Sequence, residues 1–310
     1  MRGRLLLPGS EDYEWARRPF IARFDEIAPQ AVALCAAAED IAEALAFAGK
    51  FGLDVAARSG GHDLAGRSST RGVLLDLTPL DKTAVTGRRV TVGAGVRTGV
   101  LCERLFERGL AVPTGTCPSV GIGGLTLGGG LGILGRAHGL TCDRLLAAEV
   151  VIADGRIVTC DLEHHADLFS ALRGAGAGSF GVVTEFTFEA LPVPEPTTSF
   201  HVVWPYTQAP AAIAAWQEWA PIGADELSAD LALSASADPV AEPAVELFGA
   251  LLAGESQAEA LLAELIAGVG SEPMSIDRRQ LSYLDTCRFQ AEVSVAYELS
   301  ERSAQVERRR

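Results

Sequence analysis

Arg58-Ser59-Gly60-Gly61-His62-Asp63-Leu64-Ala65-Gly66 directly follows an apolar run, Leu53–Ala57, that is predicted to be a strand. Two adjacent glycines precede the histidine and a third closes the stretch, so several backbone N–H groups can point into one concavity, as in loops that hold a phosphate. His62 lies at the exit of such a loop, where it can meet the group that carries the phosphate. These residues alone are explained more simply by a tight turn with an exposed histidine, and the remainder of the chain decides between the two interpretations.

Bulk composition indicates a globular protein of one or two domains. The chain has 310 residues, of which 48% are hydrophobic and 21% are charged, as in ordinary folded domains. Its net charge of −14 disfavours nucleic acid and anionic membranes as partners, because no basic surface would offset repulsion from their phosphates.

Cysteine usage and the N-terminus favour a soluble, cytoplasmic protein. Six cysteines are scattered along the chain without a CxxC pair, which is typical of reduced thiols and not of a disulfide framework. The apolar run Leu5–Leu7 is too short for a signal peptide or a membrane span. The oligomeric state is left open.

The N-terminal part of the chain predicts a strand, a helix and a second strand ahead of the glycine loop. Ala31–Ala36 is the first strand, and the helix that begins at Ala38 has acidic residues in its first turn, where the helix dipole favours them. Gly49 and Gly52 are predicted to end this helix. Further elements are predicted as strands at Val73–Leu77, Arg89–Val96 and Val182–Phe188, helices at Thr98–Arg108 and Asp167–Arg173, and an Asp-Gly hairpin over Glu149–Cys160.

A second glycine-rich segment, Thr114–Gly132 (TGTCPSVGIGGLTLGGGLG), contains eight glycines in nineteen residues and almost no charge. A surface linker would be polar, so this apolar segment predicts backbone packed against a flat, buried ligand. Cys117 lies near its start, next to Pro118. A third glycine loop, Gly174–Gly181, precedes a predicted strand.

A proline-rich segment, Leu191–Pro196, is the clearest linker in the chain and predicts a domain over residues 1–196 and another over 197–310. From His201 to Gly270 the chain has ten acidic residues and no lysine or arginine. The predicted strands of this part are Phe200–Trp204, Ala229–Leu233 and Val245–Leu251, and the predicted helices are Ile213–Trp219 and Gln257–Ala267. This order suggests half of an α+β layer, and Glu298–Arg310 is predicted to fray.

Two windows match GxGxxG, at Gly130–Gly135 and Gly176–Gly181. A nicotinamide-binding Rossmann site needs a strand before the motif and a helix after it, whereas the first window follows a glycine-rich coil and the second precedes a strand. A nicotinamide-dependent dehydrogenase is therefore the last-ranked interpretation. No metal site is predicted, because the adjacent His164 and His165 would point apart.

Four segments carry a resemblance to a known family: RSGGHDLAG (58–66), GTCPSVGIGGLTLGGGLG (115–132), GLTCDRLLAAEVVIADG (139–155) and ALRGAGAGSFGVVTEFTF (171–188). In this order they resemble the FAD-binding domain of the berberine-bridge-enzyme-like branch of the vanillyl-alcohol-oxidase (PCMH-type) flavoproteins, over most of Ile27–Pro194. The resemblance implies an α+β chain, in which a PCMH-type FAD-binding domain of two α/β subdomains precedes an incomplete substrate domain made of an antiparallel sheet and helices.

The resemblance also implies how FAD is held. The family residue that matches His62 is bonded to the benzenoid methyl group of the flavin, and in members with a cysteine at the position of Cys117 the thiol is bonded to the ring as well. A neutral imidazole and a thiolate are the nucleophiles that such bonds need. The pyrophosphate would lie on the N–H groups of Ser59–Asp63, with Gly121–Gly130 against the FAD and Gly178–Val183 at its edge. The implied FAD-binding residues are Arg58, Ser59, Gly60, Gly61, His62, Asp63, Gly66, Thr116, Cys117, Gly121, Gly124, Gly128, Gly129, Gly178, Gly181, Val182 and Val183.

The implied reaction is oxidation of a small hydroxylated metabolite or sugar by hydride transfer to FAD, followed by reoxidation by oxygen. The resemblance assigns neither the substrate nor the catalytic base, since no motif places Tyr283 or Tyr297 over a flavin. Family members continue well past this length, so we expect the chain to end inside the substrate domain. A truncated, catalytically inactive flavin-binding remnant is the alternative. Ser170 and Ser179 stand where the family often has Trp and Asn.

Overall fold

The computed structural model describes residues 1–176, 178–235 and 242–298. The described residues form two compact units, of which the first comprises Met1–Leu131 and Leu140–Leu191, and the second comprises Gly132–Gly139 and the described residues from Pro192 to Glu298. The predicted domain boundary at residue 196 stays a prediction, and the predicted frayed segment lies outside the described residues beyond Glu298.

The chain up to Pro192 contains short strands and helices in alternation. Its strands are β1 Arg4–Leu6, β2 Ala31–Leu34, β3 Val55–Arg58, β4 Val73–Asp76, β5 Thr83–Thr86, β6 Arg89–Gly93, β7 Leu110–Ala111, β8 Leu145–Val151, β9 Ile157–Cys160, β10 Val182–Glu189 and β11 Leu191–Pro192. Its helices are α1 Tyr13–Arg17, α2 Ala38–Phe51, α3 Thr98–Phe106, α4 Ile122–Leu127, α5 Gly135–His138 and α6 Ala166–Leu172, with 3₁₀ turns at Ala22–Phe24 and Thr141–Arg144.

A four-stranded sheet in the order β1-β2-β4-β3 carries the first glycine loop. The predicted strand–helix–strand unit is confirmed, because α2 connects β2 to β3 and both strands run parallel to β4 between them. Gly52 ends α2 in the left-handed conformation (φ 63°), as predicted. Gly49 lies inside α2 and does not end it, because an interior glycine costs a helix only about 1 kcal/mol and the left-handed conformation that ends the helix is at Gly52.

A five-stranded antiparallel sheet in the order β5-β6-β10-β8-β9 forms the rest of the first unit. The predicted hairpin is confirmed as β8 and β9, which turn at Gly155 (φ 86°). Leu75, Leu101 and Phe186 contribute to one core that both sheets and α3 share. β5 was not predicted, because its four residues are half-buried or exposed and lack an apolar pattern.

The second unit contains an antiparallel sheet in the order β13-β14-β12-β15. Its elements are β12 Thr197–Pro205, a 3₁₀ turn at Tyr206–Gln208, α7 Ala209–Ile222, β13 Leu227–Ser234, β14 Ala244–Leu251, α8 Glu255–Val269, β15 Ser275–Leu281 and α9 Tyr283–Glu298. The predicted strand–helix–strand–strand–helix order is confirmed over β12 to α8. β15 and α9 were not predicted, because β15 has no buried residue and α9 lacks a pronounced apolar face.

The glycine-rich segment around Gly132 is anchored within the second unit. Arg136 on α5 donates hydrogen bonds to the carbonyl oxygens of Ala220, Pro221 and Gly223, at the end of α7.

Across the described ranges, no helix is both long and apolar enough to span a bilayer.

Candidate cofactor site

A cleft of about 790 Å³ opens in the first unit where the three predicted glycine loops meet. This volume is in the range of small-molecule sites. Apolar side chains, such as Leu45, Leu77 and Leu127, form much of the wall, and the end of β3, helix α4 and the start of β10 contribute backbone. The fold therefore brings together loops that are far apart in the sequence.

Eleven of the predicted FAD-binding residues line the cleft, namely Ser59, Gly60, Gly61, His62, Asp63, Gly121, Gly124, Gly178, Gly181, Val182 and Val183. The predicted residues that do not form its wall are Arg58, Gly66, Thr116, Cys117, Gly128 and Gly129. The seventeen predicted residues thus divide into eleven that line the cleft and six that do not, and their binding of FAD stays a prediction.

The backbone of the first glycine loop presents hydrogen-bond donors to the cleft. Within the described part of the chain, none of the N–H groups from Gly60 to Asp63 donates a hydrogen bond to a protein acceptor. Gly61 has φ 77°, a conformation that glycine adopts without steric cost. Consecutive unpaired N–H groups form a concavity suited to an anion such as phosphate, because backbone donors in folded proteins are normally paired.

Gly124 leaves open space in front of α4. Among the described residues, a Cβ at this position would meet no atom within 4 Å outside the backbone of α4 itself. Glycine inside a helix is less stable than alanine by about 1 kcal/mol, so packing within the protein gives no reason for glycine here. The open space belongs to the cleft, and it fits a flat ligand that lies directly on the backbone.

Gly121, one turn earlier, is required by the protein itself. A Cβ on Gly121 would lie 1.9 Å from Ser59 Oγ, and Ser59 Oγ donates a 2.6 Å hydrogen bond to the carbonyl oxygen of Ala94. The first and second glycine loops are therefore packed backbone to backbone.

His62 and Cys117 contact the same hydroxyl group. His62 Nε2 lies 3.0 Å from Ser119 Oγ, and this oxygen lies 3.3 Å from Cys117 Sγ. Phe20 stacks on the imidazole with a centroid distance of 3.8 Å and an interplanar angle of 16°. The fold thus joins the two predicted attachment residues through Ser119.

Burial keeps the imidazole of His62 neutral. Desolvation and, to a smaller extent, the positive charge of Arg97 together lower the pKa of His62 to about 4, although the hydrogen bond with Ser119 acts in the opposite direction. Arg97 donates a 2.7 Å hydrogen bond to the carbonyl oxygen of Ser119, and desolvation lowers the pKa of Arg97 as well. At neutral pH, His62 is therefore an imidazole with a lone pair available for bonding.

Arg58 holds the first glycine loop through hydrogen bonds to neighbouring backbone and is not among the residues that line the cleft. Its guanidinium donates to the carbonyl oxygens of Ala16, Arg17 and Ser68 and to Ser69 Oγ. The residue is 5% exposed, and desolvation lowers its pKa to about 10. Its observed contacts tie the loop to the N-terminal segment.

Asp63 and Gly66 shape the exit of the loop. Asp63 Oδ1 accepts hydrogen bonds from the N–H groups of Ala65 and Arg67. Gly66 has φ 77°, and a Cβ there would lie 2.7 Å from the ring of Phe24. The carboxylate of Asp63 therefore holds the turn, while the N–H group of the same residue faces the cleft.

Sequence reasoning missed Phe20, Arg97 and Ser119. Ser119 lies two residues after Cys117 in a segment already recognised as unusual, so its spacing was an available signal. Phe20 and Arg97 lie in segments without a motif, and only the fold brings them to His62.

The other cysteines and histidines form no competing site. The described residues contain no group of histidine, cysteine, aspartate and glutamate side chains that could hold a metal ion. All six cysteines lie in the described ranges and none forms a disulfide. Burial raises the pKa of the Cys35 thiol to about 12, whereas Cys117 is half-buried beside Ser119.

Comparison with known proteins identifies the first unit. Residues 29–161 match the family profile described as an FAD binding domain. An uncharacterized FAD-linked oxidoreductase of Bacillus subtilis (strain 168) is 35% identical over 225 residues, which cover 71% of this chain and 50% of that protein. The chain spans about half the length of the curated relatives it matches.

Solved structures agree with this assignment. A berberine-bridge-enzyme-like protein of Physcomitrella patens superposes with a TM-score of 0.87 and 30% identity, over 93% of this chain and 62% of that one. Glucooligosaccharide oxidase from Acremonium strictum, which has a 6-S-cysteinyl, 8α-N1-histidyl FAD, superposes with a TM-score of 0.80 and 30% identity, over 90% of this chain and 59% of that one. The α+β fold with a PCMH-type FAD-binding domain is thus confirmed, and the chain contains an FAD-binding domain similar to that of the berberine-bridge-enzyme-like FAD-linked oxidoreductases.

Proposed function

We propose that this chain belongs to an FAD-dependent oxidase in which His62 and Cys117 both bond the flavin. The observation that carries the proposal is the contact of both side chains with Ser119 Oγ, at 3.0 Å and 3.3 Å. His62 also lines the glycine-walled cleft. Cys117 does not line it, but it is connected to His62 through the hydroxyl group of Ser119.

The cleft offers a separate group of residues to each part of the cofactor. The N–H groups of Gly60–Asp63 would bind the pyrophosphate, because they are adjacent donors without a protein acceptor in the described ranges. The open space at Gly124 would accept the flat ring system. Gly178–Val183 would form the edge of the site, and its described residues belong to the cleft wall.

Bound FAD would supply the capacity to accept a hydride from a substrate C–H bond. Around it, the protein contributes a neutral imidazole at His62 and an aromatic face, Phe20, that covers one side of the imidazole. Two attachments would fix the ring and exclude its exchange with solvent. We propose a small hydroxylated metabolite or a sugar as the substrate and oxygen as the electron acceptor, in line with the similarity to glucooligosaccharide oxidase.

The proposal is tested with the purified chain in two steps. After denaturation and gel electrophoresis, flavin fluorescence should remain in the protein band, and loss of all flavin to the supernatant would contradict covalent attachment. The native protein is then incubated with a panel of sugars and alcohols, and release of hydrogen peroxide is measured. Bound flavin without peroxide from any member of a broad panel would contradict the oxidase part.

A further inference from the structure

We infer that Ser119 is the positioning residue for flavin attachment, because its hydroxyl oxygen lies within hydrogen-bond distance of both His62 Nε2 and Cys117 Sγ. This inference rests on the proposed function, in which both residues bond FAD. It assigns to Ser119 a role in making the bonds, separate from any role in substrate oxidation.

The hydroxyl of Ser119 has a single hydrogen atom, which makes its two contacts interdependent. If this hydrogen points to Cys117 Sγ, at 3.3 Å, the oxygen can only accept from His62 Nε2, at 3.0 Å. Nε2 then carries the imidazole proton, and the lone pair lies on Nδ1, for which the described residues provide no hydrogen-bond partner. Donation to sulfur also favours the thiolate, so one hydroxyl prepares both nucleophiles.

Ser119 is itself held on several sides. Arg97 fixes its carbonyl oxygen, while Thr98 Oγ1 donates a 2.7 Å hydrogen bond to the carbonyl oxygen of Cys117. Phe20 fixes the plane of the His62 ring. The side chains of His62, Cys117 and Ser119 are therefore held close together before the cofactor binds, so little rearrangement is needed for attachment.

Each attachment balances with oxygen as the oxidant. The N–H hydrogen of His62 and one hydrogen of the flavin 8α-methyl group are replaced by a C–N bond, and oxygen takes up both hydrogens with two electrons as hydrogen peroxide. At Cys117, the S–H and one aromatic C–H hydrogen are replaced by a C–S bond with the same uptake by oxygen. Bonding through Nδ1 leaves the imidazole with an excess proton on Nε2. The Ser119 hydroxyl relays this proton, because Oγ accepts it from Nε2 as it gives up its own hydrogen to the Cys117 thiolate or to water.

The inference is tested by measuring covalent attachment in Ser119 variants of the full chain. Wild type, Ser119→Ala, Ser119→Thr and the control Ser10→Ala, at an exposed serine, are prepared without flavin and mixed with FAD in air. In-gel fluorescence after denaturation gives the rate of attachment, peptide mass spectrometry separates the bonds at His62 and Cys117, and thermal unfolding reports folding.

We expect Ser119→Ala to bind FAD but to form both bonds about tenfold more slowly, the effect of losing one positioning hydrogen bond. Ser119→Thr retains a hydroxyl and should attach FAD at close to the wild-type rate, as should Ser10→Ala. Attachment by Ser119→Ala at the wild-type rate, or an equal loss in Ser119→Thr with an intact fold, would overturn the role of Ser119 and leave the proposed function standing. Absence of covalent flavin in wild type would instead overturn the proposed function and the inference with it.

Discussion

The backbone of Gly60 lies against the backbone of Gly121, so closely that a Cβ on Gly60 would be 2.2 Å from the amide nitrogen of Gly121. Arg97 completes the contact, since its Nη1 would be 2.8 Å from the same Cβ, and Arg97 also forms an isolated β-bridge with Gly121. The two glycine loops are thus joined by the protein alone, and this joint places His62 beside Ser119.

Gly121→Ala should destabilise the protein. The added methyl group would overlap Ser59 Oγ, at 1.9 Å, and the amide nitrogen of Gly60, at 2.4 Å, so the loops must separate at a cost of about 3 kcal/mol. Urea unfolding of the flavin-free chain measures the loss. The matched control is Gly49→Ala inside α2, where a Cβ meets nothing within 4 Å, and this change should be neutral or stabilise by up to about 1 kcal/mol. Equal stability of Gly121→Ala and wild type would contradict the packing described.

Gly124→Val should have the opposite profile, with a stable fold and weakened FAD binding. The valine side chain would enter the open space in front of α4, where we place the flavin ring. Titration of the flavin-free chain with FAD, followed by fluorescence, should show a loss of affinity of at least about tenfold, since the clash removes well-packed contacts. Affinity equal to that of wild type would place the ring elsewhere.

Arg58→Met tests whether Arg58 supports the fold or holds the cofactor. Removing the guanidinium leaves the carbonyl oxygens of Ala16, Arg17 and Ser68 without their donor, and leaves the nearby buried Asp76 without one of its compensating charges. We expect a loss of about 3 to 5 kcal/mol of unfolding free energy. Arg71→Met, at an exposed arginine, is the control. Unchanged stability with lost FAD binding would show that Arg58 acts on the ligand instead.

Strands were predicted correctly where the sequence has a clear local pattern, such as a turn dipeptide or alternating apolar residues. The Asp-Gly turn predicted the β8–β9 hairpin, and the alternation over Val182–Phe188 predicted β10, in which Phe186 and Phe188 are fully buried. The run of glycines around Gly121 suggested continuous coil, yet Ile122–Leu127 forms α4, because tertiary contacts of Ile122 and Leu127 with the core override a low helix propensity.

Prediction was weaker for partners that lie far apart in the sequence. No local pattern indicates that Phe20 stacks on His62, or that His201 pairs with Glu246 at 2.7 Å across two neighbouring strands. Such contacts depend on sheet order and register, which the sequence of one chain does not specify. For the same reason, no local pattern indicated that Arg58 Nη1 donates a hydrogen bond to the carbonyl oxygen of Ala16, and a role of Arg58 in FAD binding stays a prediction.

Attachment through His62 should be insensitive to pH between 8 and 5. The neutral imidazole is the nucleophile, and burial lowers its pKa to about 4 from an ordinary value of 6.5, so protonation removes the nucleophile only as the pH approaches 4. The rate of covalent attachment in Cys117→Ala, where His62 acts alone, measures this directly. A rate that halves near pH 6.5 would show that the imidazole is not desolvated in the attaching state.

Single replacements of the attachment residues should each leave one bond. His62→Ala should retain flavin through Cys117, and Cys117→Ala should retain it through His62, because in the proposed arrangement each side chain forms its own bond to a different atom of the flavin. Denaturing gels of both variants should show fluorescence, and the double variant should show none. Fluorescence in the double variant would reveal a third attachment residue.

Peptide mapping of the wild-type chain with bound flavin shows whether His62 and Cys117 both bond one FAD. After proteolysis under denaturing conditions, we expect one flavin-bearing species in which the peptides of His62 and Cys117 are cross-linked through a single FAD. Its mass should be lower than the sum of the two peptides and FAD by the hydrogens displaced at the two bonds. Recovery of both peptides unmodified, with all the flavin released, would contradict it.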